Sequence, residues 1–314
     1  MKPNILVICG PTASGKTALA VALAKALDGE VVSADSMQIY RRMDIGTAKP
    51  TAEEMDGVPH HMLDVADPEE NYSVARYVAD AVPVVDGILA RGRLPIVAGG
   101  TGLYIDNLVA GRQFAPFPAD SGLREELQGR ARTEGLPVLL EKLRAVDPAA
   151  AERLHPNDEK RIIRALEVYR ATGKTITQHN LETQAIPDRY TPLTIALNFR
   201  ERPWLWARID RRVDVMMEQG LEREVRQLLA DGVPPDCTAM QAIGYKELAA
   251  AIAEGRPVRD GAEEIKLRSR QYAKRQLTWF RRSKAAHWIE WEKTPDFSAA
   301  VAYSTYLAHQ AGLQ

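Results

Sequence analysis

Eight consecutive residues near the start of the chain, Gly10-Pro11-Thr12-Ala13-Ser14-Gly15-Lys16-Thr17, have the types and spacing of a phosphate grip. They fill the pattern G-x-x-x-x-G-K-[ST] at every position. Glycines let successive backbone N–H groups converge on an anion. The positive end of the helix that follows adds to the field. Lys16 is then placed to reach outer phosphate oxygens, and the Thr17 hydroxyl to ligate Mg²⁺. The context is the required one. Ile5 to Cys9 is a continuous apolar run, as in a strand buried on both faces, and Leu19, Leu23 and Leu27 recur at helical spacing before Gly29.

The loop reports phosphate, not nucleotide. P-loop proteins that move a γ-phosphate need a second acid for the metal, usually an Asp ending a nearby apolar strand. Leu94 to Ala98 ends instead in Gly99-Gly100-Thr101, and Met62-Leu63-Asp64-Val65 is a poor, polar-flanked strand. The best-placed acid is Asp35, which closes the run Glu30-Val31-Val32-Ser33-Ala34. In a simple doubly wound sheet this second strand lies next to the first, and ligands bind beyond the carboxyl ends of the strands. Asp35 is therefore expected on the P-loop edge, as a Mg²⁺ ligand, as a general base, or as the cap of the turn into Ser36-Met37-Gln38.

The elements that must position these groups alternate strand and helix through the first third. That pattern predicts an α/β fold, a P-loop NTPase-like parallel sheet with helices on both faces. Tyr72 to Ala90 reads as a helix that Pro83 should kink or split. The texture changes at Phe114-Ala115-Pro116-Phe117-Pro118, and Leu123 to about Thr183 reads helical. A strand returns at Leu193 to Phe199, and Pro203 to Gln314 reads as mostly helical. The expected organisation is a core in two parts, 1–113 and 191–314, around a helical insertion, 114–190.

The formal net charge is −1, so any polyanion partner must be met by local clusters. One is Lys266, Arg268, Arg270, Lys274, Arg275, Arg281, Arg282 and Lys284, with no acid between and with Trp279 and Phe280 among them. That mixture suits phosphate contact with base stacking, or else a solvated basic helix. A second is Lys160-Arg161 with Arg164. Trp204, Trp206, Trp288 and Trp291 read as packing residues. The two cysteines, Cys9 and Cys237, make neither a zinc site nor a disulfide framework, which points to a reducing compartment. The apolar run at Ile5 is too short for a signal core or a membrane span. A soluble, cytoplasmic monomer with no membrane contact is expected.

The ordered segments Gly10–Thr17, Ser33-Ala34-Asp35-Ser36-Met37-Gln38-Ile39-Tyr40, and Met43-Asp44-Ile45-Gly46-Thr47-Ala48-Lys49-Pro50 closely resemble the tRNA dimethylallyltransferase family. The resemblance continues through Pro59 to Asp64, Gly99 to Tyr104, His155 to Asp158, Ala242 to Tyr245 and Ala273 to Trp279, and so spans nearly the whole chain. One departure is Arg42, where the family often has glycine; it bears on the loop, not on a chemical role. The resemblance implies transfer of a dimethylallyl group from dimethylallyl diphosphate to adenosine 37 in the anticodon stem-loop of tRNA, with Mg²⁺. It implies Asp35 as the base and the Gly10–Thr17 loop as the diphosphate grip. Arginines near Arg208 and Arg212, which share a helix face, would close over the diphosphate. Thr101 would orient the amine or the diphosphate, unless it is a simple turn residue. Asp35, Ser36, Met37, Gln38 and Thr101 would touch the RNA. So would Glu159, Lys160, Arg161, Ile162 and Ile163; Met240, Gln241, Ala242, Ile243, Gly244 and Tyr245; and Lys274 and Arg275. A P-loop small-molecule kinase and a prenyltransferase for free adenine nucleotides are the competing readings; the basic stretch favours tRNA.

Overall fold

Alternation along each strand decides how the sheet is buried. In β1 (Asn4–Cys9), Ile5, Val7 and Cys9 enter one hydrophobic core and Leu6 and Ile8 enter another. In β4 (Leu94–Gly99), Val97 joins the first core, while Leu94 and Ile96 join the second. A strand with both faces covered must be apolar at every position, which is why these runs lack polar alternation. The other strands are β2 (Gly29–Ser33), β3 (His60–His61), β5 (Thr191–Phe199) and β6 (His287–Trp291). The structure, a computed structural model, describes residues 2–112 and 121–313.

All pairings are parallel, in the order β3-β2-β4-β1-β5-β6. This corrects one expectation. β2 does not neighbour β1: β4 lies between them, with Val31 and Leu6 both opposite Ile96. Because every strand runs the same way, Asp35 still emerges at the carboxyl edge with the P-loop. The segment after Pro203 is mostly helical, as expected, with one addition: β6 forms an edge strand pairing Ile195 with His287 and Phe199 with Trp291. Its residues are mostly half-buried, and His287 and Glu290 break the apolar run. Of the kink or split expected at Pro83, the split does not occur: the helix Val74–Ala90 runs through that residue. Its packing face, Tyr77, Val78, Ala81, Val85 and Ile88, holds it to the sheet on both sides of the proline.

The chain forms two compact units, residues 1–111 with 188–314, and residues 112–187. The second unit is a set of helices: Ser121–Glu134, Leu136–Val146, Pro148–Arg153, Glu159–Thr172 and Ile176–Gln184. Leu127, Leu139, Leu143, Ile162 and Leu166 are in its core. The buried Asp147 caps one helix through the Ala150 N–H and receives the Thr177 N–H and hydroxyl. The buried Glu167 is paired by Arg124 and Arg164. The segment Phe114 to Pro118 and the expected border at 113/114 lie outside the described residues. Among the described residues no helix is long and apolar enough to cross a membrane.

Candidate active site

The site begins where β1 ends. Gly15, at φ 89, precedes the helix Lys16–Ala26, in a left-handed conformation that glycine takes without cost. Ala13 is also left-handed, at φ 61, and its carbonyl accepts from Arg208 Nε at 3.1 Å. Trp291 Nε1 donates to the Ser14 carbonyl at 2.8 Å, so the edge strand β6 holds the loop from behind. The Ser14 hydroxyl is buried with no hydrogen-bond partner among the described residues. A buried polar atom without a partner is costly, and a phosphate oxygen would satisfy it.

Lys16 Nζ donates to the Pro11 carbonyl at 2.7 Å. Burial pushes its pKa down from 10.5 to about 8; Arg212 lowers it further, while Asp35 and Cys9 oppose the shift. Burial also lowers the pKa of Arg212, against the pull of Asp35 and Glu54. Two neighbouring cations held at a cost, with little to balance them, make an anion site. The Cys9 thiol beneath is pushed up to about 12 by burial, and so is inert as a nucleophile.

Asp35 stands at the same cavity as Thr12 to Thr17, Arg208 and Arg212, a space of about 980 Å³. Its Oδ1 accepts the Met37 N–H at 2.9 Å, so it does cap the turn. The other oxygen has no hydrogen-bond partner among the described residues, so capping and chemistry are compatible. Thr101 is more than a turn residue. It precedes the helix Gly102–Ala110 without capping it; its hydroxyl accepts the Ser36 N–H at 3.1 Å and donates to Ser36 Oγ. Tyr272 lies beside Thr101 and Gln276, and burial pushes its pKa up to about 12. Gln38 Nε2 donates to the Thr47 and Ala48 carbonyls, fixing a second cavity wall.

Thr17 and Asp35 bring hard oxygen donors to this one cavity, a set that suits Mg²⁺ sharing its shell with phosphate and water. Among the described residues no group of three His, Cys, Asp or Glu could cage a metal alone.

Sequence reasoning passed over Gln276. It is buried on the helix Val258–Phe280, takes the Thr12 N–H on Oε1 at 2.9 Å and donates to the Gly100 carbonyl at 2.9 Å. It thereby straps the P-loop to the turn carrying Thr101. The available signal was a polar residue at the apolar spacing of Ala273, Leu277 and Phe280.

The same helix corrects the stacking expectation. Phe280 is buried, and the Trp279 ring is covered by Arg282 at 3.8 Å, with Nε1 on Asp106. The buried Phe280 is not free to take a base, and one face of the Trp279 ring is already occupied. Lys266, Arg268, Arg270 and Arg282 are in ion pairs with Asp214, Glu264, Asp210 and Asp106. Lys274, Arg275, Arg281 and Lys284 form no ion pair among the described residues, and Lys274 and Arg275 lie against the Trp206 and Tyr272 rings. In the helical unit Glu159, Lys160 and Arg161 are exposed, while Ile162 and Ile163 are spent on its core. Gln241 is exposed, whereas Met240, Ala242 and Tyr245 are buried.

A parallel sheet with this loop and an acid on its carboxyl edge defines a P-loop NTPase-like α/β protein. The chain matches the IPP transferase family over residues 38–283 and the isopentenyl transferase family over residues 3–70. It is 46% identical over 298 residues to a tRNA dimethylallyltransferase of Thermoanaerobacter sp. strain X514, covering 95% of this chain and 94% of that one. It is 47% identical over 310 residues to tRNA dimethylallyltransferase 1 of Trichlorobacter lovleyi, covering 98% and 100%. The crystal structure of the tRNA isopentenylpyrophosphate transferase of Bacillus halodurans is similar, with TM-score 0.73 at 42% identity over 98% of this chain and 96% of that one. A eukaryotic dimethylallyltransferase, solved acting on tRNA, gives TM-score 0.82 at 28% identity over 99% and 80%. The chain belongs to the IPP transferase family and is a prenyltransferase.

Proposed function

We propose that this chain transfers a dimethylallyl group from dimethylallyl diphosphate to the exocyclic N6 of adenosine 37 in tRNA, releasing diphosphate, with Mg²⁺ as cofactor and Asp35 as general base. The observation that carries this reading is one cavity lined by cations, a carboxylate and an apolar wall. Lys16, Arg208 and Arg212 face an anion; Asp35 offers a base; Ile45, Ala48, Val215 and Met216 suit a short hydrocarbon.

The adenine amine is a poor nucleophile, because its lone pair is delocalised into the ring. As N6 bonds to the allylic carbon, the carbon–oxygen bond to the diphosphate breaks and an N6 proton passes to Asp35. The uncapped Asp35 oxygen is the one that takes it, while the Met37 N–H holds the carboxylate in orientation. A base so placed contributes about 10²–10⁴-fold. Lys16 and Arg212 stabilise the negative charge on the departing diphosphate. Thr17 would hold Mg²⁺, which when bound neutralises further phosphate charge. Thr101 acts through Ser36 to keep the Asp35 turn in place.

Chemistry on a base requires its edge, so the adenine is taken out of its stack. The anticodon stem-loop is met by exposed groups: Glu159, Lys160 and Arg161 on the helical unit, and Lys274, Arg275 and the segment around Gln241 on the core. Ser36, Met37 and Gln38 line the approach to the amine. The protein works as a monomer in the cytoplasm, where its RNA substrate is.

The test is transfer of isotopic label from dimethylallyl diphosphate into tRNA with Mg²⁺, for the wild type and Asp35→Asn. Label at adenosine 37, lost in the variant while dimethylallyl diphosphate still binds, is expected. No label in any tRNA, with ATP-dependent phosphorylation of a metabolite, would overturn the reading.

A further inference from the structure

The cavity wall formed by Ile45 to Ala48 is held from outside by a carboxylate. Glu224, on the helix Leu221–Ala230, accepts three consecutive backbone N–H groups: Asp44 and Ile45 on Oε2 at 3.0 and 2.9 Å, and Gly46 on Oε1 at 3.3 Å. The Tyr245 hydroxyl donates to the same Oε1 at 2.5 Å. Tyr245 is fully buried, and a Cβ on Gly46 would come within 2.4 Å of its ring. The loop therefore has no space to move outward. Arg42 pairs with Asp231 just after the same helix and with Glu69.

Inside the cavity that wall faces a graded surface. On the helix Arg202–Gln219, Arg208 is fastened to the P-loop and Arg212 lies one turn on. Val215 and Met216 follow about 10–12 Å from Arg208 along the axis, at 1.5 Å per residue. Charge thus gives way to apolar surface at a fixed distance from the loop, and Ile45 and Ala48 line the same space. We propose that Glu224, with Tyr245, is a positioning residue that fixes the Ile45–Ala48 wall and thereby limits the length of prenyl chain the site accepts. The inference rests on the prenyl transfer reading above. Neither residue touches the reacting atoms; both act through the loop.

The experiment measures kcat/KM for dimethylallyl and geranyl diphosphate at saturating tRNA, in the wild type, Glu224→Ala, Glu224→Gln and Tyr245→Phe. The wild type should prefer the shorter chain. Glu224→Ala should cut that preference by about tenfold, the scale of a hydrophobic pocket losing its end wall. Glu224→Gln, which keeps an acceptor oxygen, should fall between. Tyr245→Phe keeps the ring under Gly46 and should cut the preference by about threefold, through one lost hydrogen bond. A merely structural role would lower both rates together and leave their ratio alone. An unchanged ratio in Tyr245→Phe overturns the proposal even if Glu224→Ala fails to fold. A wild type that moves no label from dimethylallyl diphosphate to tRNA refutes the transfer reading itself.

Discussion

Raising the pH across the range of Lys16 should expose how the loop is built. Burial holds this lysine at about 8, down from 10.5, so keeping it charged costs roughly 3 kcal/mol relative to water. An arriving diphosphate supplies the missing partner and should return the pKa to its ordinary value or above. At pH 9 the empty site holds about 0.1 proton on Lys16 and the occupied site close to one, so binding should take up about 0.9 proton. At pH 7 both states are protonated and uptake should be near zero. Dimethylallyl diphosphate is a clean probe, because the last ionisation of a phosphate ester lies near about 6 and is complete at pH 9. Calorimetric titrations in two buffers of different ionisation heat measure the uptake directly. Lys16→Arg, which stays charged throughout, should show none. Affinity should also fall by up to about tenfold per pH unit above 8. The sign for folding is opposite. In the unoccupied protein the unfolded chain binds the extra proton between about 8 and 10.5, so this lysine's penalty is full below that window and relieved as pH rises through it. Pairs of titrations at pH 9 that show no buffer dependence would refute the argument.

Gln276→Leu removes the bonds to Thr12 N–H and Gly100 O. It should cost about 2 kcal/mol in urea melts and weaken dimethylallyl diphosphate binding; a melt shift with unchanged binding would confine Gln276 to folding. Glu30, buried on β2 between Arg91, Arg93 and His61, is pushed up by burial but held below its ordinary pKa by Arg91 and His61. Its folded value is depressed, so its stabilisation is present above about 4.5 and is lost as pH falls through the lower folded value. Glu30→Gln should cost about 2 kcal/mol at pH 7, a deficit that shrinks towards pH 3 when urea melts are compared. Lys274→Ala with Arg275→Ala should weaken tRNA binding and reduce its log–log salt slope by about 1–2, leaving dimethylallyl diphosphate binding unchanged. An unchanged slope would place the RNA elsewhere.

Local chemistry was the legible part. A glycine-rich loop between an apolar run and a helix has one structural meaning, and Ile5 to Cys9 and Leu94 to Ala98 are strands in place. The intervening position of β4 was not legible, because strand order is settled by how helices cover the sheet and not by any run of residues. β6 is hard to read because His287 and Glu290 interrupt its apolar residues, leaving neither a continuous run nor a strict alternation. The basic stretch is a different case. A count of cations cannot see Asp106, Asp210 and Asp214, distant in sequence, that pair with several of them. At Asp35, turn cap and candidate base are compatible, because a carboxylate has two oxygens and one N–H takes only the first.

The two straps on the phosphate loop have a consequence for synthesis. Thr12 waits for Gln276, 264 residues later, and Ser14 waits for Trp291, 277 residues later. At about 5–20 residues per second, a nascent chain spends roughly 13–55 s with its loop made but unfastened. The loop is assembled first and finished almost last, so the nascent chain lacks a completed phosphate grip until its final strand has left the ribosome.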